Sequence, residues 1–149
     1  MKIKDILKIK GSKVWTVKSS QTVREALHFL MNQNIGALLV TDGKSETIVG
    51  IISERDIIRG CYERGAKIES ARVSEFMTRD VIIASPEDEI NDIMGVMTEK
   101  RIRHIPVMTE GKLEGLVSIG DVVKSLLKDS EHQIKYLKEF MYGTNIEIV

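Results

Sequence analysis

The chain has 149 residues, with 22 Lys plus Arg against 22 Asp plus Glu, 42% apolar residues, 5% aromatics, one Cys and two Pro. A formal charge of zero argues against the clustered positive field of a general DNA- or RNA-binding protein, and the single Cys61 excludes a disulfide framework and a cysteine-rich zinc site. No apolar run approaches the ~20 residues that cross a bilayer, and Met1-Lys2-Ile3-Lys4-Asp5 lacks the apolar stretch of a secretion signal, so a soluble, cytoplasmic protein with no membrane partner is expected.

In chain order, a short β-type run spans Val14 to Val17. Thr22 followed by Glu25 is a capping-box signature, and it opens a helix with Val23, Ala26, Leu27, Leu30 and Met31 on one face. Two apolar runs follow, Ala37 to Thr41 and Ile48 to Ile52, joined by a turn at Asp42-Gly43-Lys44; this is a hairpin pattern. A helix from Asp56 through Cys61 comes next, with Cys61 read as a buried small apolar residue. The same order then returns. Val81 to Ala84 is β-type, and Ser85 and Pro86 supply a cap and a first-turn proline for a helix carrying Ile90, Ile93, Met94 and Met97. A second hairpin runs from Ile105 to Met108 and from Leu113 to Val117 through Glu110-Gly111-Lys112, and a helix spans Asp121 to Leu127. Beyond it, Ile134, Leu137, Phe140 and Met141 form a helical stripe that packs on its own domain or on a second copy, and Ile146 to Val149 alternates like a strand.

These elements are two copies of one unit. An offset of 67 places Val23, Ala26, Leu27, Leu30, Ile35 and Val40 on Ile90, Ile93, Met94, Met97, Ile102 and Val107. From Gly50 the offset is 65, so that Gly50, Ser53 and Asp56 meet Gly115, Ser118 and Asp121; two extra residues sit in the first hairpin turn. Upstream, an offset of 70 pairs Ile3 and Ile6 with Val73 and Phe76. The expectation is an α+β protein with two β-α-β-β-α repeats, residues 3–65 and 72–128, sharing one core about an approximate twofold axis, and an extension over 129–149.

Chemistry concentrates where each hairpin ends and a helix begins. Free backbone N–H groups and the helix dipole favour an anion at Ser53-Glu54-Arg55-Asp56. Asp56 offers two acceptor oxygens to vicinal ribose hydroxyls, Ser53 a donor to phosphate, and Arg55 a forked cationic contact. Ser53 and Asp56 equally suit a plain helix cap. The second copy repeats Ser118 and Asp121 but has Gly120 in place of Arg55, so the two sites are expected to differ. Gly36 and Ala37 are small enough for an adenine ring to approach the chain. His28, His104 and His132 do not stand at ligand spacing, so no metal is expected. A Ser–His–Asp hydrolase built from Ser53 or Ser118, His104 and Asp121 lacks the Gly-x-Ser-x-Gly elbow.

Ile35-Gly36-Ala37-Leu38-Leu39-Val40 with Gly50-Ile51-Ile52-Ser53-Glu54-Arg55-Asp56, and Arg103-His104-Ile105-Pro106-Val107 with Gly115-Leu116-Val117-Ser118-Ile119-Gly120-Asp121, resemble the cystathionine β-synthase (CBS) domain pair, or Bateman module, over about residues 1–128. The resemblance implies adenosine-containing ligands (AMP, ADP, ATP, S-adenosylmethionine or NAD(H)) in clefts between the copies. By family analogy Val14 and Thr16 face Gly36 and Ala37 across one cleft, while Val81, Ile82, Ala84, Arg103, His104, Ile105 and Pro106 line the other. It also implies a non-catalytic regulatory protein, a homodimer and a regulated partner.

Overall fold

The computed structural model describes residues 1–45, 47–128 and 135. Its elements in order are α1 (Ile3–Lys10), β1 (Thr16–Lys18), α2 (Val23–Gln33), β2 (Ala37–Thr41), β3 (Ile48–Ser53) and α3 (Glu54–Arg64), then a 3-10 turn (Gly65–Ser70). The second half contains α4 (Val73–Phe76), α5 (Ile90–Lys100), β4 (His104–Thr109), β5 (Lys112–Ser118) and α6 (Ile119–Lys128). β1 lies parallel to β2, and β2 pairs antiparallel with β3; β4 and β5 form the second hairpin. Both hairpins slip register at the same repeat position, Val40/Thr41 and Val107/Met108. β2 is buried along its whole length, as expected of a strand covered on both faces.

Two apolar clusters share the fold, and each recruits the lead helix of the other copy. Val73 and Met77 pack with Val23, Ala26, Leu30 and Val40 in the first cluster. Ile3 and Ile6 pack with Ile90, Ile93, Met97 and Val107 in the second. Backbone bonds repeat this exchange. The Val73 and Ser74 N–H groups donate to Gln21 and Ser19 carbonyls, and Val23 N–H to Ala71; Ile3 and Lys4 donate to Asp88 and Pro86, and Ile90 to Met1. The two β-strand glycines make room for the exchanged segments. A Cβ on Gly50 would stand 2.7 Å from Met77 Sδ, and one on Gly115 2.7 Å from Leu7 Cδ2.

Four expectations need correction. The Val81–Ala84 run forms no strand, only an isolated parallel bridge from Ala84 to Val107. In the first copy Leu39 N–H donates to Trp15 and Ser19 N–H to Thr41. The repeat mates of those donors are Pro106 and Pro86, which have no N–H, so both flanking bonds are impossible. Ser85 and Pro86 do not start the following helix. Ser85 closes a turn, donating its N–H to Asp88 Oδ2 at 2.8 Å and accepting from Glu87 N–H at 3.2 Å. The N-cap of α5 is Glu89, without a side-chain cap. In α2 the buried stripe is Val23, Ala26 and Leu30; Leu27 and Met31 lie one step round the helix, 41% and 72% exposed. In α3 the buried face is Asp56, Ile57 and Gly60, which leaves the adjacent Cys61 exposed. The stripe at Ile134, Leu137, Phe140 and Met141, and the run from Ile146 to Val149, fall outside the described residues.

Candidate functional site

Ser53 is the N-cap of α3, with extended backbone at φ −118°. Asp56 N–H donates to Ser53 Oγ at 3.4 Å, and Asp56 Oδ2 accepts from Ser53 N–H at 2.8 Å and from Ser53 Oγ at 3.0 Å. The other oxygen of Asp56 accepts from Thr78 Oγ1 at 3.1 Å and has Arg59 3.8 Å away; Asp56 is only 5% exposed. The capping geometry is thus realised, and the Ser53 proton points to Asp56. The second copy repeats it. Ser118 N–H donates to Asp121 Oδ2 at 2.8 Å, and Ser118 Oγ accepts from Asp121 N–H at 3.2 Å. Here the partner from the exchanged segment is Lys10, whose Nζ lies 2.6 Å from Asp121 Oδ2. Burial pushes the Asp121 carboxyl up, but the bonds from Lys10 and Ser118 outweigh it and hold the group below the usual carboxylate range.

The two copies meet at these strand ends. A Cβ on Gly36 would stand 3.4 Å from His104 Cε1 and 3.5 Å from Nε2, so the ring that approaches Gly36 is the imidazole of the second copy, with Glu54 Oε1 beside it. Burial lowers the His104 pKa below the ordinary histidine value; Lys10 and Arg103 act in the same direction, against Asp121 and Glu54. The structure brings Arg55 of the first copy to Arg103 of the second. With Arg101, Met97, Thr98, Ile102 and Ile119 they line a cavity of about 280 Å³. Among the described residues none of these three guanidinium groups is in an ion pair.

The expected apolar walls divide by burial. Ala37, Ala84, Ile105 and Pro106 are buried in strand or bridge positions, while Val14, Val81, Ile82 and Gly36 are partly exposed at their edges. Thr16 instead lines a larger cavity of about 910 Å³ near the hairpin turns, with Lys18, Lys44 and Lys112. Trp15 packs edge-on to Phe29 with ring centroids 5.3 Å apart, and Lys13 Nζ lies 4.2 Å above its ring. Among the described residues no three His, Cys, Asp or Glu side chains are grouped to hold a metal, and no helix is long and apolar enough to cross a membrane.

The family description "CBS domain" matches residues 3–63 and 73–128. The chain belongs to the CBS-domain family. Its two CBS repeats form a Bateman module. The chain is 34% identical to the CBS domain-containing protein CBSX3, mitochondrial, of Arabidopsis thaliana over 149 residues, covering 95% of this chain and 72% of that one. Among solved structures, the CBS-domain containing protein ATU1752 from Agrobacterium tumefaciens superposes with a TM-score of 0.82 at 37% identity, covering 85% of this chain and 99% of that one. The CBS domain pair of protein MJ0100, in complex with 5′-methylthioadenosine and S-adenosyl-L-methionine, matches with a TM-score of 0.76 at 25% identity over 87% of this chain and 98% of that one. In this CBS pair the residues that sequence reasoning missed are Lys10, Thr78 and Arg101. Lys10 and Thr78 reach the motif aspartates only because the lead segments are exchanged. Arg101 was legible as a cation two residues before Arg103, in a left-handed helix cap at φ 54°.

Proposed function

We propose that this CBS pair is a non-catalytic regulatory protein that binds an adenosine-containing ligand, AMP, ADP, ATP or NAD(H), and changes its contact with a regulated partner on binding. The observation that carries this reading is the repeated Ser-x-x-Asp junction beside the cluster of Arg55, Arg101 and Arg103 on the 280 Å³ cavity. A carboxylate suits vicinal ribose hydroxyls, and unpaired guanidinium groups suit a phosphate. The adenosine-based ligands in the MJ0100 complex support the ligand class. Binding alters the partner contact only through different affinity for the two states of the protein. The module acts as a cytoplasmic homodimer, for which exposed Leu27 and Met31 on α2 and Ile58 and Tyr62 on α3 supply an apolar face.

The test is a thermal-shift and calorimetry series with AMP, ADP, ATP, NAD, NADH and S-adenosylmethionine. At least one is expected to bind and raise the melting temperature. Arg55→Ala is expected to weaken AMP roughly tenfold, the size of one charge-assisted hydrogen bond, while leaving adenosine unchanged. Silence across the series contradicts the reading.

A second reading is an adaptor whose clefts take no ligand, favoured by the engagement of both aspartates with protein donors. Under it, Asp56→Asn with Asp121→Asn leaves partner binding intact.

A further inference from the structure

The two motif aspartates are held by unlike groups. Asp56 receives the neutral hydroxyl of Thr78 at 3.1 Å, whereas Asp121 receives the ammonium of Lys10 at 2.6 Å. The same ammonium donates to the Leu116 carbonyl at 2.7 Å. Lys10 is the last residue of α1, and its position is fixed by the turn beneath it. Leu7 sits over Gly115, and Gly11 N–H closes the helix on the Leu7 carbonyl at 2.8 Å. Side-chain exposures of 35% for Lys10 and 24% for Asp121 leave the pair partly shielded from solvent screening.

Asp121 Oδ2 accepts from both Lys10 Nζ and Ser118 N–H, which uses both of its lone pairs. Vicinal ribose hydroxyls donate to the two oxygens of a carboxylate together. They and Lys10 therefore compete for one atom.

We propose that Lys10 is a latch on the Ser118–Asp121 cleft: ribose entry displaces it from Asp121, and its release frees the last turn of α1. This rests on the nucleotide reading above and adds its regulation. The clefts then differ in what a ligand displaces: at Asp56 it meets a neutral hydroxyl with Arg59 3.8 Å from the same oxygen, and at Asp121 it must break the 2.6 Å ion pair. Because α1 packs in the second core and continues directly into β1 of the first copy, occupancy of the second cleft is transmitted to the link between the copies. Salt weakens the ion pair, so an uncharged ligand binds the second cleft more tightly as salt rises.

Adenosine, which carries no charge, is the probe. Calorimetric titration of wild type, Lys10→Met and Lys10→Arg is expected to show the second site tighter by roughly fivefold in Lys10→Met, the size of a partly exposed ion pair, and close to wild type in Lys10→Arg. High salt is expected to tighten the second site in wild type and leave Lys10→Met unmoved. Unchanged affinity in Lys10→Met overturns the latch, and weaker affinity overturns it by making Lys10 a ligand contact. A ligand-free measurement separates the two levels. Amide exchange over residues 7–11 is expected to quicken equally in Lys10→Met, in Asp121→Asn and in the double variant; unchanged exchange overturns the latch. Quickened exchange with no binding of adenosine or of AMP, ADP, ATP, NAD, NADH or S-adenosylmethionine in any protein defeats the nucleotide reading, and the latch falls with it.

Discussion

Gly50 and Gly115 occupy the same repeat position in β3 and β5, yet alanine is expected to act differently at each. At Gly50 the new Cβ would stand 2.7 Å from Met77 Sδ, 3.0 Å from Met77 Cγ and 2.8 Å from the Thr78 carbonyl oxygen. The carbonyl is backbone, held by its bond from Ile51 N–H at 3.0 Å, while Thr78 N–H returns to the Ile51 carbonyl at 2.8 Å. Relief of the clash must therefore break the bond that this carbonyl accepts from Ile51 N–H. Overpacking costs about 1–3 kcal/mol and a lost hydrogen bond about 1 kcal/mol, offset by about 0.5–1 kcal/mol for replacing a glycine in a strand. The net loss is about 2 kcal/mol, or a fall in melting temperature of roughly 4–8 °C for a domain of this size. At Gly115 the close atom is Leu7 Cδ2 at 2.7 Å, and the next are other Leu7 side-chain atoms at 3.6 and 3.7 Å. A rotation of Leu7 costs about 0.5–1.5 kcal/mol, which the lost glycine entropy nearly cancels. Urea denaturation of Gly50→Ala and Gly115→Ala measures the difference directly. Equal losses, or a larger loss at Gly115, refute the reasoning.

Gly60→Ala is expected to destabilise by about 1–3 kcal/mol in the same assay despite better helix propensity, because its Cβ would lie 2.5 Å from both Ile68 Cδ1 and Phe76 Cε1. Ser53→Ala is expected to cost more than Ser118→Ala: each loses a cap of about 1 kcal/mol, but only Ser53 also donates its hydroxyl to a buried aspartate. His104 has a folded pKa depressed by burial and by Lys10, against Asp121 and Glu54, with Arg103 lowering it further. Below the unfolded value of 6.5 the unfolded chain takes up the proton first, so stability falls as pH drops from there toward the folded pKa. His104→Gln is expected to flatten that part of the stability–pH profile; an unchanged slope assigns it to other groups.

The repeat made most of the fold legible. Apolar residues at matched positions located both hairpins and the helices around them, and Thr22 with Glu25 placed the start of α2 correctly. The exchange of lead segments left no such mark, because Ile3 and Val73 are equally apolar whichever core receives them. Exchange also hid the partners of Asp56 and Asp121, which are distant in sequence. The failed strand at Val81–Ala84 had a signal in the two prolines, Pro86 and Pro106, each at the repeat mate of a ladder donor. At the candidate site, Ser53, Asp56, Ser118 and Asp121 were readable from their spacing at helix starts. The convergence of Arg55, Arg101 and Arg103 needed both copies in place.

The most direct test of the ligand reading alters the ligand and leaves the protein intact. Equilibrium binding of adenosine is compared with that of 2′,3′-dideoxyadenosine, which has the same base and no vicinal hydroxyls. If Asp56 and Asp121 hold ribose, dideoxyadenosine is expected to bind at least tenfold more weakly, since about 1.5–3 kcal/mol attends each hydrogen bond to a charged group. Equal affinity for the two nucleosides would contradict the assignment of the repeated aspartates to ribose.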